Sequence, residues 1–284
     1  MFGTITKKIR NSIWLRDNTD IIHKAIIKGN LRQNDFSLMV GDRVHYLIED
    51  EKYIIDKVYD RFNQLDRPNI CNINYIFVVQ STVEPTFSTF LLSKMMALYE
   101  SKGVEVDMII TKTDIEKIKD ENIIKNLKDE GYFVVDVNNE DDIKKFKKVI
   151  KGKTICLVGN SGVGKSTFIN KLDPSFNLKT NEISKALNRG KHTTTYASIM
   201  VLGDGYIVDT PGFSTIEFKG TPQELAKSFY TFNILSKLCR YTNCLHDTED
   251  RCNVKAAVDD KFLPQWRYND YLKILREIKD VKNR

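Results

Sequence analysis

The most constraining feature of this 284-residue chain is the segment "GNSGVGKST", which occupies residues 159–167. Its spacing of Gly159 and Gly164, followed by Lys165 and Ser166, is that of a phosphate-binding loop. The apolar stretch "KTICLV" precedes it and the helical stretch "KSTFINKL" follows it. In such a loop the backbone N–H groups surround a phosphate, the lysine reaches the terminal phosphates and the serine ligates Mg²⁺. We expect nucleotide contacts from the whole loop: Gly159, Asn160, Ser161, Gly162, Val163, Gly164, Lys165, Ser166 and Thr167.

Two later segments complete the expected phosphate side of the site. "DTPG" at 209–212 follows the strand-like "YIVDT"; there Asp209 can hold the Mg²⁺ shell through water and the Gly212 N–H can contact the γ-phosphate. The loop "RGKHTTT" at 189–195 can close over the metal and phosphate before hydrolysis and open afterwards. The spacing leaves open which threonine does so: Thr193, Thr194 or Thr195.

The segment "TKTD" supplies candidates for base recognition: Thr111, Lys112, Thr113 and Asp114. The Asp114 carboxylate can accept hydrogen bonds from guanine N1 and N2, a donor pair that adenine lacks, and the Lys112 stem can cover the base. The alternative is a helix N-cap, because threonine and aspartate both cap well. Ligand loops meet at the carboxyl ends of parallel strands whatever their order along the chain. In this chain the base-recognition segment comes before the phosphate-binding loop, and this order indicates a circularly permuted GTPase.

A cysteine cluster near the C-terminus predicts a metal site. "CRYTNCLHDTEDRC" has the spacing Cys-x4-Cys-x-His-x5-Cys, and three thiolates with one imidazole suit a closed, structural Zn²⁺ site. One zinc per chain would be held by Cys239, Cys244, His246 and Cys252. The alternative is a set of unrelated reduced cysteines. The other two cysteines, Cys71 and Cys156, fit small apolar core positions.

The pattern along the chain divides it into three expected domains. Residues 1–65 carry short β-branched stretches separated by turn signals, which suits an OB-fold barrel that binds RNA. The polar "RFNQLDRPN" at 61–69 predicts a linker. Residues 72–221 alternate short apolar strands with helical stretches, as in an α/β domain with a parallel sheet. Residues 222–284 are expected to be mainly helical around the zinc site.

Composition narrows the class of protein. No run of about 18 apolar residues occurs and the N-terminus lacks the apolar stretch of a signal peptide, so we expect a cytoplasmic protein without a membrane partner. The net charge of +6 favours a polyanionic partner such as nucleic acid, although a solvated lysine-rich surface explains it equally well.

The order of these parts resembles the ribosome small-subunit-dependent GTPase A (RsgA) family over essentially the whole chain. The resemblance lies in "VGDRV" at 40–44, "TKTD", "GNSGVGKST", "GKHTTT", "DTPGF" and the cysteine cluster. It implies a bacterial GTPase that binds the small (30S) ribosomal subunit and its rRNA, assists late maturation of that subunit, and hydrolyses GTP to GDP and phosphate. Family members are slow alone and are accelerated by the subunit. The expected cofactors are zinc and Mg²⁺ with GTP, and the expected state is a monomer.

Two departures affect the base contacts. Thr111 stands where the base-recognition motif usually has asparagine, and the second base loop, expected near "VVDVNNE", is not recognisable.

The catalytic set is also unusual, because Phe213 follows Gly212 where many GTPases have a water-orienting glutamine. Weak intrinsic hydrolysis should result. Lys165 is one expected catalytic group, and His192 is the candidate to orient water; the alternative for His192 is a solvated loop residue. Two other functions are left open: an ATP-dependent P-loop enzyme, and an RNA-binding protein that uses the nucleotide only as a structural ligand.

Overall fold

The computed structural model describes residues 1–32, 37–66, 68–176, 178, 197–209 and 218–282. The chain forms two compact units. One comprises 1–75, 145–157 and 166–212, and the other comprises 76–144, 158–165 and 213–284. The domain boundaries predicted from the sequence, at 1–65, 72–221 and 222–284, stay predictions.

Five strands and a one-turn helix form the N-terminal barrel: β1 (Phe2–Ile9), β2 (Ser12–Asp17), β3 (Ile22–Ile27), α1 (Gly29–Arg32), β4 (Arg43–Glu49) and β5 (Lys52–Val58). The strands pair in the order β1-β2-β3-β5-β4, and β4 pairs back with β1. Only β3 and β5 pair in parallel within this barrel. This is the five-stranded arrangement of an OB-fold, as the sequence predicted. Alternating apolar side chains fill its core: Ile5, Ile13, Leu15, Ala25, Leu38, Val44, Tyr46 and Ile55.

A short hairpin follows the barrel and corrects one prediction. It consists of β6 (Gln64–Leu65) and β7 (Ile70–Cys71), so the expected linker at 61–69 contains a two-residue strand that the sequence did not predict. Its apolar residues explain the difference: Leu65 is 2% exposed and Ile70 is fully buried, so this segment gains more from pairing than from solvation.

A buried ion pair explains the motif "VGDRV". Asp42 is fully buried, and the Arg61 guanidinium donates to its two carboxylate oxygens from Nε at 2.7 Å and Nη2 at 2.9 Å. The Met39 N–H donates to the same carboxylate at 2.7 Å. These bonds raise the pKa of Arg61 and keep a buried charge paired.

Gly41 within this motif tolerates no side chain. Its φ is +97°, its N–H donates to the Ile5 carbonyl at 2.8 Å, and a Cβ built on it would lie 2.0 Å from the Cys71 carbonyl oxygen. The backbone of β7 therefore packs directly against the motif.

The α/β part continues in the expected alternation: β8 (Tyr75–Ser81), α2 (Thr89–Glu100), β9 (Glu105–Thr111), α3 (Asn122–Asp129), β10 (Val134–Asp136), α4 (Glu140–Val149), β11 (Thr154–Val158), α5 (Lys165–Leu172), β12 (Ser198–Leu202) and β13 (Gly205–Asp209). One unit contains the strand order β10-β9-β8 and the other contains β11-β13-β12. The pairs β9–β10 and β11–β13 are parallel, whereas β12 runs antiparallel to β13. The strand that carries "TKTD" therefore precedes the strand that leads into the phosphate loop, which is the permuted order.

Helix α3 follows a non-helical segment. Residues 113–115 form a turn, and the chain then stays non-helical until the helix begins at Asn122. The Asp120 carboxylate accepts the backbone N–H of Asn122 at 3.0 Å, which satisfies one of the free N–H groups of the first turn.

Four helices make up the described part of the C-terminal region: α6 (Pro222–Ala226), α7 (Tyr230–Ser236), α8 (Asn253–Asp259) and α9 (Gln265–Lys282). Helix α9 is amphipathic and packs on α2, where the Ser93 hydroxyl donates to Asp270 at 3.3 Å and Lys94 pairs with Glu277 at 2.5 Å. Its apolar face is buried at Tyr271, Ile274, Leu275 and Ile278. Among the described residues there is no helix with the length and apolar character needed to cross a membrane.

We expect Gly41→Ala to destabilise the protein by about 3 kcal/mol or more, because the added Cβ overlaps a buried backbone carbonyl. Denaturant unfolding followed by circular dichroism measures this. The control is Gly103→Ala, where φ is +70° and the space for a Cβ is open. That variant should lose only the about 1–2 kcal/mol of a left-handed backbone. Equal losses in the two variants would contradict the packing argument.

Candidate functional site

The phosphate loop lies against the backbone of β8. Gly159 has φ +151°, and a Cβ on it would lie 2.3 Å from the Val79 carbonyl oxygen, so only glycine fits this approach. Lys165 begins α5, and its ammonium group donates to the carbonyls of Gly159 at 2.6 Å and Asn160 at 2.7 Å. The loop, the lysine and the helix N-terminus thus converge as an anion site requires. Ser166 follows on the first turn and is 7% exposed.

A hydrogen bond joins the base-recognition segment to this loop. Thr111 ends β9 and is 3% exposed, and its hydroxyl donates to the Val163 carbonyl at 2.6 Å. Lys112 has a positive φ of 61°, and its ammonium group donates to the Val83 carbonyl at 3.0 Å and to the Glu84 carbonyl. The side chain of Thr111 therefore brings two segments 52 residues apart in the chain into one site.

Asp114 is oriented by a residue that the sequence did not identify. The Asn138 side-chain amide donates to Asp114 Oδ1 at 2.9 Å and to the Thr113 hydroxyl at 2.8 Å. That hydroxyl in turn donates to Asp136 Oδ1 at 2.7 Å. Asp114 and Asn138 are both exposed, so the remaining carboxylate lone pairs face solvent.

Asn138 lies in "VVDVNNE", the segment where a second base loop was expected. It follows β10, which pairs in parallel with β9, so both strands end at the same edge of the sheet. The sequence did contain a signal for this residue: polar residues that directly follow neighbouring parallel strands are placed together at one edge of the sheet.

The switch side of the site is largely beyond the described residues. Asp209 is the last residue of β13. The switch candidates Thr193, Thr194 and Thr195, together with His192, Gly212 and Phe213, lie outside the described residues.

The four predicted metal ligands do come together. One ligand atom each from Cys239, Cys244, His246 and Cys252 lies within 4.8 Å of the others. His246 Nδ1 is 3.3 Å from Cys252 Sγ and 3.7 Å from Cys239 Sγ, and the sulfurs of Cys239 and Cys252 are 4.0 Å apart. Tetrahedral zinc with bonds of about 2.0–2.3 Å requires ligand atoms roughly 3.5–3.8 Å apart, so the cluster fits such an ion.

Neighbouring groups hold the histidine in the form that a metal needs. His246 is fully buried, and its Nε2–H donates to the Ala226 carbonyl at 3.2 Å, which leaves Nδ1 as the ligand atom. The Tyr268 hydroxyl donates to the His246 carbonyl at 2.7 Å, and the Tyr271 hydroxyl donates to the Leu245 carbonyl. Helix α9 therefore anchors the ligand loop from outside.

The electrostatics of the cluster also suit a cation. Burial, the largest cause, raises the pKa of Cys244 to about 12, and Cys252 and Cys239 add to that rise. Burial also raises the pKa of Cys252, and Cys239 adds to that rise. Burial lowers the pKa of His246, which favours the neutral imidazole. Three crowded thiols become thiolates only beside a positive charge, and a bound divalent metal supplies one.

Comparison with known proteins gives a consistent result. Residues 58–219 match the model of the RsgA GTPase family. The chain is 44% identical to the small ribosomal subunit biogenesis GTPase RsgA of Ureaplasma urealyticum, over 98% of this chain and 95% of that protein. It is 40% identical to the protein of the same name from Malacoplasma penetrans, over 98% and 100% of the two chains. Among solved structures it resembles YloQ, described as a circularly permuted GTPase, with a TM-score of 0.81, 31% identity and coverage of 100% and 96%.

We expect Asn138→Ala to weaken guanine-nucleotide affinity about five- to tenfold, because removing one hydrogen bond to a charged group costs roughly 1–1.5 kcal/mol. Titration with a fluorescent guanine nucleotide measures the change. The matched control is Asn139→Ala, because the side-chain Oδ1 of Asn139 accepts the N–H groups of Asp141 and Asp142 at the start of α4 and does not contact Asp114 in the described structure. Affinity unchanged in Asn138→Ala, or equally reduced in the control, would contradict the assignment.

Proposed function

Because this chain belongs to the RsgA GTPase family, we propose that it hydrolyses GTP on the small ribosomal subunit and assists a late step in the maturation of that subunit. The relatives at about 40% identity are named small ribosomal subunit biogenesis GTPases, and they align over nearly the full length of both chains.

The observation that carries the guanine preference is the contact between Thr111 and the phosphate loop. It supports a single nucleotide site in which Asp114 accepts from the base and Lys165 donates to the phosphates. Guanine N1–H and N2–H₂ are donors that match the Asp114 carboxylate, whereas adenine N1 is an acceptor. An ATP-dependent function is disfavoured because the carboxylate would meet adenine N1 without a hydrogen bond.

The site residues have distinct proposed roles. Lys165 and the loop N–H groups bind the β- and γ-phosphates, and Lys112 covers the base. Ser166 and Asp209 would hold Mg²⁺, which supplies charge neutralisation when bound with the nucleotide. One threonine of 193–195 and the Gly212 N–H would contact the γ-phosphate. His192 would orient the attacking water once the switch loop is ordered.

The flanking parts are proposed to bind rRNA. OB-folds bind oligonucleotides, and the zinc region exposes a cationic and aromatic pair at Arg240 and Tyr241, with the Arg240 Cζ 5.2 Å from the Tyr241 ring centre. The net charge of +6 favours a polyanion. Docking on the 30S subunit would order the switch loop and raise the hydrolysis rate. A cytoplasmic monomer is the form in which we expect it to act.

The experiment that tests this function is multiple-turnover GTP hydrolysis with and without purified 30S subunits. We expect a low intrinsic rate and at least tenfold stimulation. At saturating 30S, His192→Ala should lose most of the stimulation while its intrinsic rate and GTP affinity stay near wild type. The neighbouring variant Lys191→Ala is the control and should be stimulated normally. If 30S subunits do not stimulate the wild type, the proposed function is wrong. If His192→Ala is stimulated as fully as the wild type, a residue other than His192 orients the attacking water.

We further expect one zinc ion per chain, bound by the cluster at residues 239–252. Elemental analysis of protein purified without chelator should give about one zinc, and Cys244→Ser should reduce that content severalfold. Loss of the ligand should make the C-terminal region more sensitive to limited proteolysis while GTP affinity is kept. Cys71→Ala, which removes a buried thiol far along the chain, is the control and should retain its zinc. Metal-free wild-type protein would refute the zinc site.

A further inference from the structure

The barrel-containing unit has a pocket that the GTPase function does not explain. Its volume is about 560 Å³, within the roughly 300–1,000 Å³ of small-ligand sites. Its walls are formed by the starts of β1 and β4, the end of β2, the chain after β5 and one residue of β13. The lining residues that matter here are Phe2, Arg16, Asp20, Arg43, Tyr59 and Tyr206.

Arg16 forms a fixed part of the wall of this pocket. Its side chain is 8% exposed, and its guanidinium carbon lies 3.4 Å from the ring centre of Tyr206. Its Nε is 3.5 Å from Asp20 Oδ1, and its Nη1 is buried from solvent. Arg16 therefore supports the pocket through Tyr206 and Asp20, and the surface open to a ligand comes from other residues.

Phe2 supplies an unused aromatic face at the same pocket. It is 66% exposed although it is a large apolar residue. Its ring centre is 5.9 Å from that of Tyr59 and 5.6 Å from that of His45, so neighbouring rings hold it in place. An aromatic side chain supported on one side and open on the other is the platform on which an unpaired base stacks.

The charges around the pocket argue against a phosphate deep inside it. Asp17 and Asp20 line it, and Asp20 accepts a hydrogen bond from the Tyr206 hydroxyl at 3.0 Å. Arg43 lies on the pocket wall, and the Lys57 ammonium is 5.0 Å from the Tyr59 ring centre. The carboxylates would repel an anion, whereas these two cations can neutralise phosphates of a strand that passes outside.

From this combination we propose that the pocket binds a single unpaired nucleotide of an RNA strand. The base stacks on the exposed face of Phe2. The adjoining phosphates lie near Arg43 and Lys57. That the RNA is rRNA rests on the proposed function; the pocket chemistry itself requires only a single-stranded segment.

The test is fluorescence anisotropy of the full-length chain with 5′-labelled hexauridylate, without GTP and at several salt concentrations. Phe2→Ala should weaken binding about tenfold, since stacking contributes about 1–3 kcal/mol per base. The dependence of affinity on salt should not change, because a stacking contact releases no counterion. Arg43→Gln should instead reduce the salt slope by about 0.7. Phe2→Leu keeps the apolar bulk but removes the ring, and it should also bind weakly. This variant separates the loss of stacking from a folding defect that Phe2→Ala could cause.

The matched control is Phe262→Ala, which removes an equally exposed phenylalanine, at 70%, from the other unit. It should bind as wild type. The proposal is overturned if Phe2→Ala and Phe2→Leu bind normally, if Phe262→Ala loses as much, or if an abasic ribose-phosphate hexamer binds as tightly as hexauridylate. If RNA binding depends on Phe2 but 30S subunits do not stimulate GTP turnover, the proposed function is rejected and the nucleotide-binding pocket stands. If 30S subunits stimulate turnover but RNA binding does not depend on Phe2, the proposed function stands and the nucleotide-binding pocket is rejected.

Discussion

The nucleotide site depends on a close approach between the phosphate loop and two strand ends. Gly159 leaves no room for a side chain beside the Val79 carbonyl, and the Thr111 hydroxyl bonds to the Val163 carbonyl. These contacts explain how threonine serves at a position where asparagine is usual, because its short hydroxyl satisfies the loop carbonyl directly. The base segment and the loop are then held by one hydrogen bond, and the carboxylate of Asp114 needs only Asn138 to fix its direction.

Permutation has little physical cost in such a sheet. Parallel strands present their carboxyl ends at one edge, so the binding loops meet there in whatever order the chain visits the strands. Permutation changes which parts of the chain come directly before and after the strands that carry the site. The strand that carries the base segment follows the barrel and hairpin, and the segment with "DTPG" leads into the helical region. The barrel and the C-terminal helical region with the Cys/His cluster are thereby attached at the two ends of the GTPase core.

The C-terminal region depends on the Cys/His cluster to connect short helices. Helices α6, α7 and α8 have five to seven residues each, which is too short for stability by themselves. The cluster joins the end of α7 to the start of α8, and its histidine bonds to the last residue of α6. Helix α9 then contributes tyrosine hydroxyls to the loop and a buried face to α2. Contacts around the cluster and on α9 therefore compensate for the shortness of these helices.

The sequence by itself determined the parts that depend on local spacing. The phosphate loop, the four metal ligands, the barrel strands and the α/β alternation follow from glycine positions, cysteine spacing and apolar periodicity, each of which acts within a few residues. Tertiary structure decided the rest. The hairpin is held against the barrel by the bond from the Cys71 N–H to the Val40 carbonyl at 3.0 Å, and Asn138 lies beside Asp114 because β10 pairs with β9. Barrel closure brings Phe2, Arg16 and Arg43 to one pocket, through the pairing of β1 with β2 and β4. Such pairings depend on contacts between distant segments, and no local pattern encodes them.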